Sequence, residues 1–222
     1  MRWLLLAVCL VLLVAPGAYA HRLVEDDGTH TGPETAIILE DVELSQVVYH
    51  EFTEDSNELW LGFDGEVGQE LYWQLGIPAL EELVNYRPAV AVLGPGLPAV
   101  EVPFEVPEGL GGIVFETDGV DGEFFYEPFT GTKSWVLATE TMCIQKAGRY
   151  YLVLYHPTGD PGKAWLAVGR REEFGLQDIL SYEQVLGVVR DFHEESAARL
   201  SLLNYLLIGV SRLTNFVVSL FS

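Results

Sequence analysis

Histidines and carboxylates are the residues of this chain best suited to chemistry: there are 5 His and 33 Asp plus Glu among 222 residues. His21 follows Ala18-Tyr19-Ala20, a small-x-small pattern that a signal peptidase would cut. The cut would leave His21 first, with its α-amine and imidazole together, as in a histidine brace for copper. His30, His50 or His156 would supply the third nitrogen, because imidazole suits copper. The plainer reading is that the cut happens to precede a histidine. A second cluster is Glu116, Asp118, Asp121 and Glu123, with Gly119 and Gly122 between them. Its four carboxylates would wrap calcium, whose hard charge wants oxygen ligands. The spacing departs from the EF-hand loop, and the segment reads as an acidic hairpin loop, of the kind that in acidic proteins is usually just solvated. Asp26, Asp27 and Thr29 make a weaker version of the same idea.

Aromatic residues form the third set. Trp60, Tyr72, Trp73, Phe124, Phe125, Tyr126, Phe129, Trp135, Tyr150, Tyr151, Tyr155 and Trp165 would stack on sugar rings if they faced solvent. On alternating strands they more often fill a core. Cys143 is the only cysteine after residue 20, so no intramolecular disulfide is expected, and it reads as a buried small hydrophobe. A nucleophile elbow, His-Glu-x-x-His, Cys-x-x-Cys and a dinucleotide fingerprint are all absent from the sequence. The chain therefore reads as non-enzymatic.

Short β-rich runs must position these residues. Residues 47–52, 58–63, 69–75, 88–93, 112–116, 123–126, 134–139, 150–156 and 164–168 alternate or are continuously apolar, with turn residues between them. The expected fold is mainly β: a jelly-roll-like antiparallel β-sandwich over residues 37–175, followed by C-terminal α-helices. Residues 148–169 read as its closing hairpin, residues 21–36 as an irregular lead-in, and residues 97–107 as a Pro-broken loop or edge. One helical turn is expected within 78–86. Residues 176–196 carry Ile179, Tyr182, Val185, Leu186, Val189 and Phe192 at helical spacing, capped by Asp178 or Ser181.

The two ends set the compartment. Residues 1–20 read as a signal peptide, with Arg2 before an apolar run. Residues 197–222 read as an apolar membrane-anchoring helix, either spanning or lying in the headgroup plane with Arg212 outward. All 33 acids lie within residues 21–195, which hold 9 of the 12 Lys and Arg, a formal net charge of −24. So acidic a body repels nucleic acid and anionic headgroups. The expected location is the extracytoplasmic face of a membrane, held there by the C-terminal helix, with a protein or glycan partner.

The order of several motifs carries a family resemblance. Asn57-Glu58-Leu59-Trp60-Leu61-Gly62-Phe63, Gly68-Gln69-Glu70-Leu71-Tyr72, Arg87-Pro88-Ala89-Val90-Ala91-Val92-Leu93 and Gly148-Arg149-Tyr150-Tyr151-Leu152-Val153-Leu154 follow in turn. This order resembles the bacterial pre-peptidase C-terminal domain, over residues 44–168. It is also similar to exported bacterial proteins that join such a sandwich to a C-terminal membrane helix. The resemblance implies a small jelly-roll sandwich and no activity, because its motifs are structural. The chain departs from the family at Asp55-Ser56-Asn57-Glu58-Leu59-Trp60, where Asp-x-Asp-Trp/Tyr is usual, and it has an insert at 101–135. A brace at His21 would in turn be similar to those of lytic polysaccharide monooxygenases and periplasmic copper carriers, which are also β-sandwiches. The readings left standing are a tethered interaction or accessory module, a copper protein using His21, and a glycan-binding domain.

Overall fold

The computed structural model describes residues 21–128, 130–173 and 181–194. These form two sheets packed face to face, with one helix and one 3-10 turn, so the chain is mainly β and sandwich-like. The strands are β1 (Arg22–Val24), β2 (Ile37–Ile38), β3 (Gln46–Phe52), β4 (Glu58–Gly65), β5 (Glu70–Pro78), β6 (Ala89–Gly94), β7 (Gly111–Phe115), β8 (Glu123–Glu127), β9 (Thr132–Cys143), β10 (Gly148–Tyr155) and β11 (Gly162–Val168). The six-stranded sheet runs β1-β3-β11-β5-β9-β8 and the five-stranded sheet β2-β4-β10-β6-β7. The 3-10 turn, Glu81–Leu83, lies within the expected 78–86.

Period-2 patterning accounts for the core. Leu71, Trp73, Leu75 and Ile77 of β5 point inward and are fully buried. They meet Leu59, Leu61 and Phe63 of β4 and Tyr150, Leu152 and Leu154 of β10. Burying each such side chain contributes about 1.5–3 kcal/mol. The inner face of β3 carries Val48, His50 and Phe52, so a histidine stands at the margin of this core. Phe52 meets its ring edge-on at 4.6 Å between centroids.

Both sheets are covered on their outer faces as well. Val100, Val102, Phe104, Val106 and Leu110 pack over Trp60, Ala89, Ala91, Val153 and Tyr155 of the five-stranded sheet. The expected Pro-broken loop thus has the job of covering a sheet. That is why β6 is buried along its whole length and reads as a continuous apolar run. On the six-stranded sheet, helix α1 (Tyr182–Phe192) lies over β3, β9 and β11. Phe192 contacts Tyr49 at 4.9 Å between rings. Trp165 packs against Gly76, where a Cβ would come within 2.1 Å of the indole, so only glycine fits.

Four expectations change. The lead-in is not irregular throughout: β1 pairs in parallel with β3, Arg22 opposite Gln46 and Val24 opposite Val48. Residues 148–169 are not a hairpin: β10 lies between β4 and β6, and β11 between β3 and β5 of the other sheet. The six residues between them step across the sandwich, a gap of about 10 Å. The acidic segment 116–123 joins strands of different sheets too, β7 and β8, and is no hairpin loop. Cys143 is exposed rather than buried. It ends β9 opposite Glu70, beyond Met142, which packs against the core.

Of the C-terminal helices expected, the described residues hold one, α1, of 11 residues. Ser181 is its N-cap, without a capping side-chain hydrogen bond. Among the described residues no helix is long and apolar enough to cross a membrane. Residues 1–20 and 197–222, assigned from sequence to signal and anchor, lie outside the described residues.

Candidate metal centre

The lead-in carries the best-assembled group of ligating side chains. Once β1 has paired with β3, the chain leaves the edge of the six-stranded sheet and crosses to β2 at the edge of the other. The crossing loop is held by its own polar groups. Gly28, at φ +78°, donates its N–H to Asp26 Oδ1 at 3.0 Å. Thr29 donates to Asp27 Oδ1 from both backbone (3.0 Å) and hydroxyl (2.6 Å). These bonds, the hydroxyl's first, hold the Asp27 carboxyl below its usual range. The His30 carbonyl accepts the Trp60 N–H at 2.9 Å, which ties the loop to β4.

In this setting one ligand atom each from Asp26, Asp27 and His30 lie within 4.8 Å of one another, the only such group of three among the described residues. His30 Nδ1 is 2.6 Å from the Thr35 carbonyl, which can only accept, so Nδ1 carries the proton. In the neutral imidazole Nε2 then bears the lone pair, 3.4 Å from Asp27 Oδ1. Behind Asp26 stands His50, with Nδ1 2.6 Å from Asp26 Oδ2 and Nε2 3.2 Å from the Ser56 carbonyl. The carbonyl requires a proton on Nε2. The Nδ1–Oδ2 contact then holds one proton, carried by the imidazole or by the carboxyl. The side chains of His50 and Asp26 are 1% and 4% exposed, so this is a polar pair built into the rim of the core. The Ser56 hydroxyl is buried and has no hydrogen-bond partner. It faces the same loop, 3.5 Å from where a Cβ on Gly28 would stand.

The other predicted ligands lie apart from this group. His21 sits at the start of β1, with Nδ1 2.7 Å from Ser45 Oγ, and burial pushes its pKa down. Ser45 and His50 are five residues apart along the β3 path, about 16 Å at strand rise. His156 follows β10 at the Phe52 end of the sandwich, stacked on Tyr86 at 4.5 Å. Its Nδ1 accepts the Asp160 N–H at 3.3 Å, so that lone pair serves a turn. The structure therefore does not bring His21, His30 and His156 together. Glu116, Asp118, Asp121 and Glu123 are all exposed and form no group of ligand atoms. Between them, Thr117 is buried and donates to the Pro88 carbonyl. Sequence reasoning paired Asp26 and Asp27 with Thr29 rather than with His30, and gave His50 and Ser56 no part beside them. The Asp27-x-x-His30 spacing was the one signal available.

The aromatic set divides. Trp60, Trp73 and Tyr150 are core residues. Phe124, Phe125 and Tyr126 are 53%, 41% and 50% exposed on β8, an edge strand. Phe124 packs edge-on against Trp135 at 5.4 Å.

No family model matches the chain, and no curated protein is similar to it at a significant level. Among solved structures, it is similar to the pre-peptidase C-terminal domain of a collagenase from Bacillus anthracis, at 13% identity. That match covers 61% of this chain and 95% of the other, with a TM-score of 0.34. The description of the chain as mainly β and sandwich-like rests on the strand order and burial given above.

Proposed function

We propose that the chain is a non-enzymatic interaction or accessory module of pre-peptidase C-terminal-like type. It is exported and held at the outer face of a membrane by residues 197–222. Within this reading the sandwich is jelly-roll-like. The interleaved order β3-β11-β5-β9 against β4-β10-β6-β7 supports that description. The observation that carries the functional reading is how the described apolar surface is distributed. The outer faces of both sheets are covered, by α1 and by the loop before β7, and three consecutive aromatics remain exposed on β8. An exposed apolar strand at a sheet edge suits a contact surface better than a reaction cleft.

Fractionation tests the tethering. The full chain, expressed with its first twenty residues, should be recovered with membranes and released by detergent but not by high salt. Deleting residues 197–222 should release it. Recovery of the full chain in the soluble fraction would overturn the proposal. Glycan binding is the second reading, supported by the same exposure of Phe124, Phe125 and Tyr126.

A further inference from the structure

We propose that Asp26, Asp27 and His30 hold a divalent first-row transition ion of the zinc class, with His50 as the positioning residue behind Asp26. This goes beyond the tethered-module reading and does not depend on it.

The donor set selects the ion. Calcium and magnesium take oxygen ligands, whereas one imidazole with two carboxylates is a borderline set of the kind that binds zinc. The tautomer is already the required one, since the Nδ1–H bond to the Thr35 carbonyl leaves His30 Nε2 as the donor atom. Asp26 is oriented from behind by His50 at 2.6 Å, the arrangement that commonly supports a ligating carboxylate. Ligands of a tetrahedral zinc with bonds of about 2.1 Å lie about 3.4 Å apart. Atoms now within 4.8 Å therefore need to close by at most about 1.4 Å. Asp27 is well placed for this: it is exposed, and both hydrogen bonds from Thr29 go to its Oδ1.

The Ser56 hydroxyl is an independent sign of a ligand. It is part of a residue only 6% exposed, has no partner, and is turned to Gly28 inside the loop that carries all three ligands. Burying a hydroxyl without a partner costs free energy, and native proteins rarely leave one so. A zinc ion with three protein ligands keeps a fourth position for water. A water bound there would give the Ser56 hydroxyl its missing partner. The acidic body also raises the local concentration of cations.

Titration of the purified, metal-free full-length chain in detergent with Zn²⁺, Ca²⁺ and Cu²⁺ tests this by calorimetry. One Zn²⁺ per chain is expected, bound more tightly than Ca²⁺. His30→Ala and Asp27→Asn should each weaken it about tenfold or more. His21→Ala and Asp118→Asn should leave it unchanged. Histidine ¹⁵N NMR of the unaltered chain gives a second readout that does not require a variant to fold: Zn²⁺ should move a single imidazole Nε2 resonance, that of His30. The proposal is overturned by no Zn²⁺ binding, or by no shifted imidazole. Affinity that depends on His21 instead of His30, or Ca²⁺ preference insensitive to His30→Ala, would overturn it equally.

Discussion

At the scale of single residues, the histidines differ by what surrounds them more than by where they fall in the sequence. His50 is locked between a carboxylate and a carbonyl, His30 turns its Nε2 toward Asp27, and His21 and His156 are desolvated. Burial lowers the pKa of His21 from 6.5. It lowers that of His156 as well, although Asp160 pulls in the other direction. In both cases the unfolded chain takes up the proton first as pH falls, so protonation favours unfolding. Their contribution is therefore fully present above about pH 6.5 and is lost as pH falls through their lower, folded-state values. The urea midpoint should decline as pH is lowered below this range. His156→Asn should flatten part of that decline, and an unchanged slope in the variant would remove His156 from the account.

At the scale of elements, α1 is the piece whose stability is borrowed. Eleven residues without a side-chain cap make a marginal helix alone. What holds it is Val189 and Phe192 on the sheet and a buried polar chain at its end. There His193 Nδ1 donates to the Val189 carbonyl at 2.7 Å, and its Nε2 lies 3.1 Å from Ser134 Oγ. The same hydroxyl accepts the Trp165 Nε1–H at 3.1 Å. Ser134→Ala removes the partner shared by these two groups, which costs about 1–3 kcal/mol. The loss should be local. Amide exchange should speed up in α1 while β4 and β10 stay protected, and uniform acceleration through the sandwich would contradict this. None of the network was legible in sequence, because Ser134, Trp165 and His193 meet only when helix and sheet dock. The strands were legible, because a half-buried strand repeats every two residues and nothing else does. Their partners were not. The run 148–169 looks like a hairpin since a turn joins two strands, yet each strand is central in a different sheet.

At the scale of the whole molecule, the charge dominates. Residues 21–195 hold 33 acids against nine Lys and Arg, so the folded body repels itself. Few cations offset this, and Arg149–Asp64 and Arg170–Glu70 are exposed pairs of little individual worth. Added salt should therefore raise the melting temperature between low and moderate ionic strength, as screening weakens the repulsion. A melting temperature that falls with sodium chloride would mean that specific ion pairs outweigh the net charge. Zinc at the loop of residues 26–30 would stabilise the fold separately, by binding the native state alone.

The amino-acid sequence by itself determined the β class, most strand positions, the covering loop as a Pro-broken segment, and the acidity, since these depend on local periodicity and composition. It also placed Asp26, Asp27 and His30 within five positions of one another. Only the tertiary structure decided that these three converge while His21 and His156 stand elsewhere. The cause is β1: by pairing in parallel with β3 it delivers Asp26 to His50 and the loop to Ser56. A three-residue strand has too little pattern to announce itself, and a parallel partner more than twenty positions away leaves no mark on local spacing.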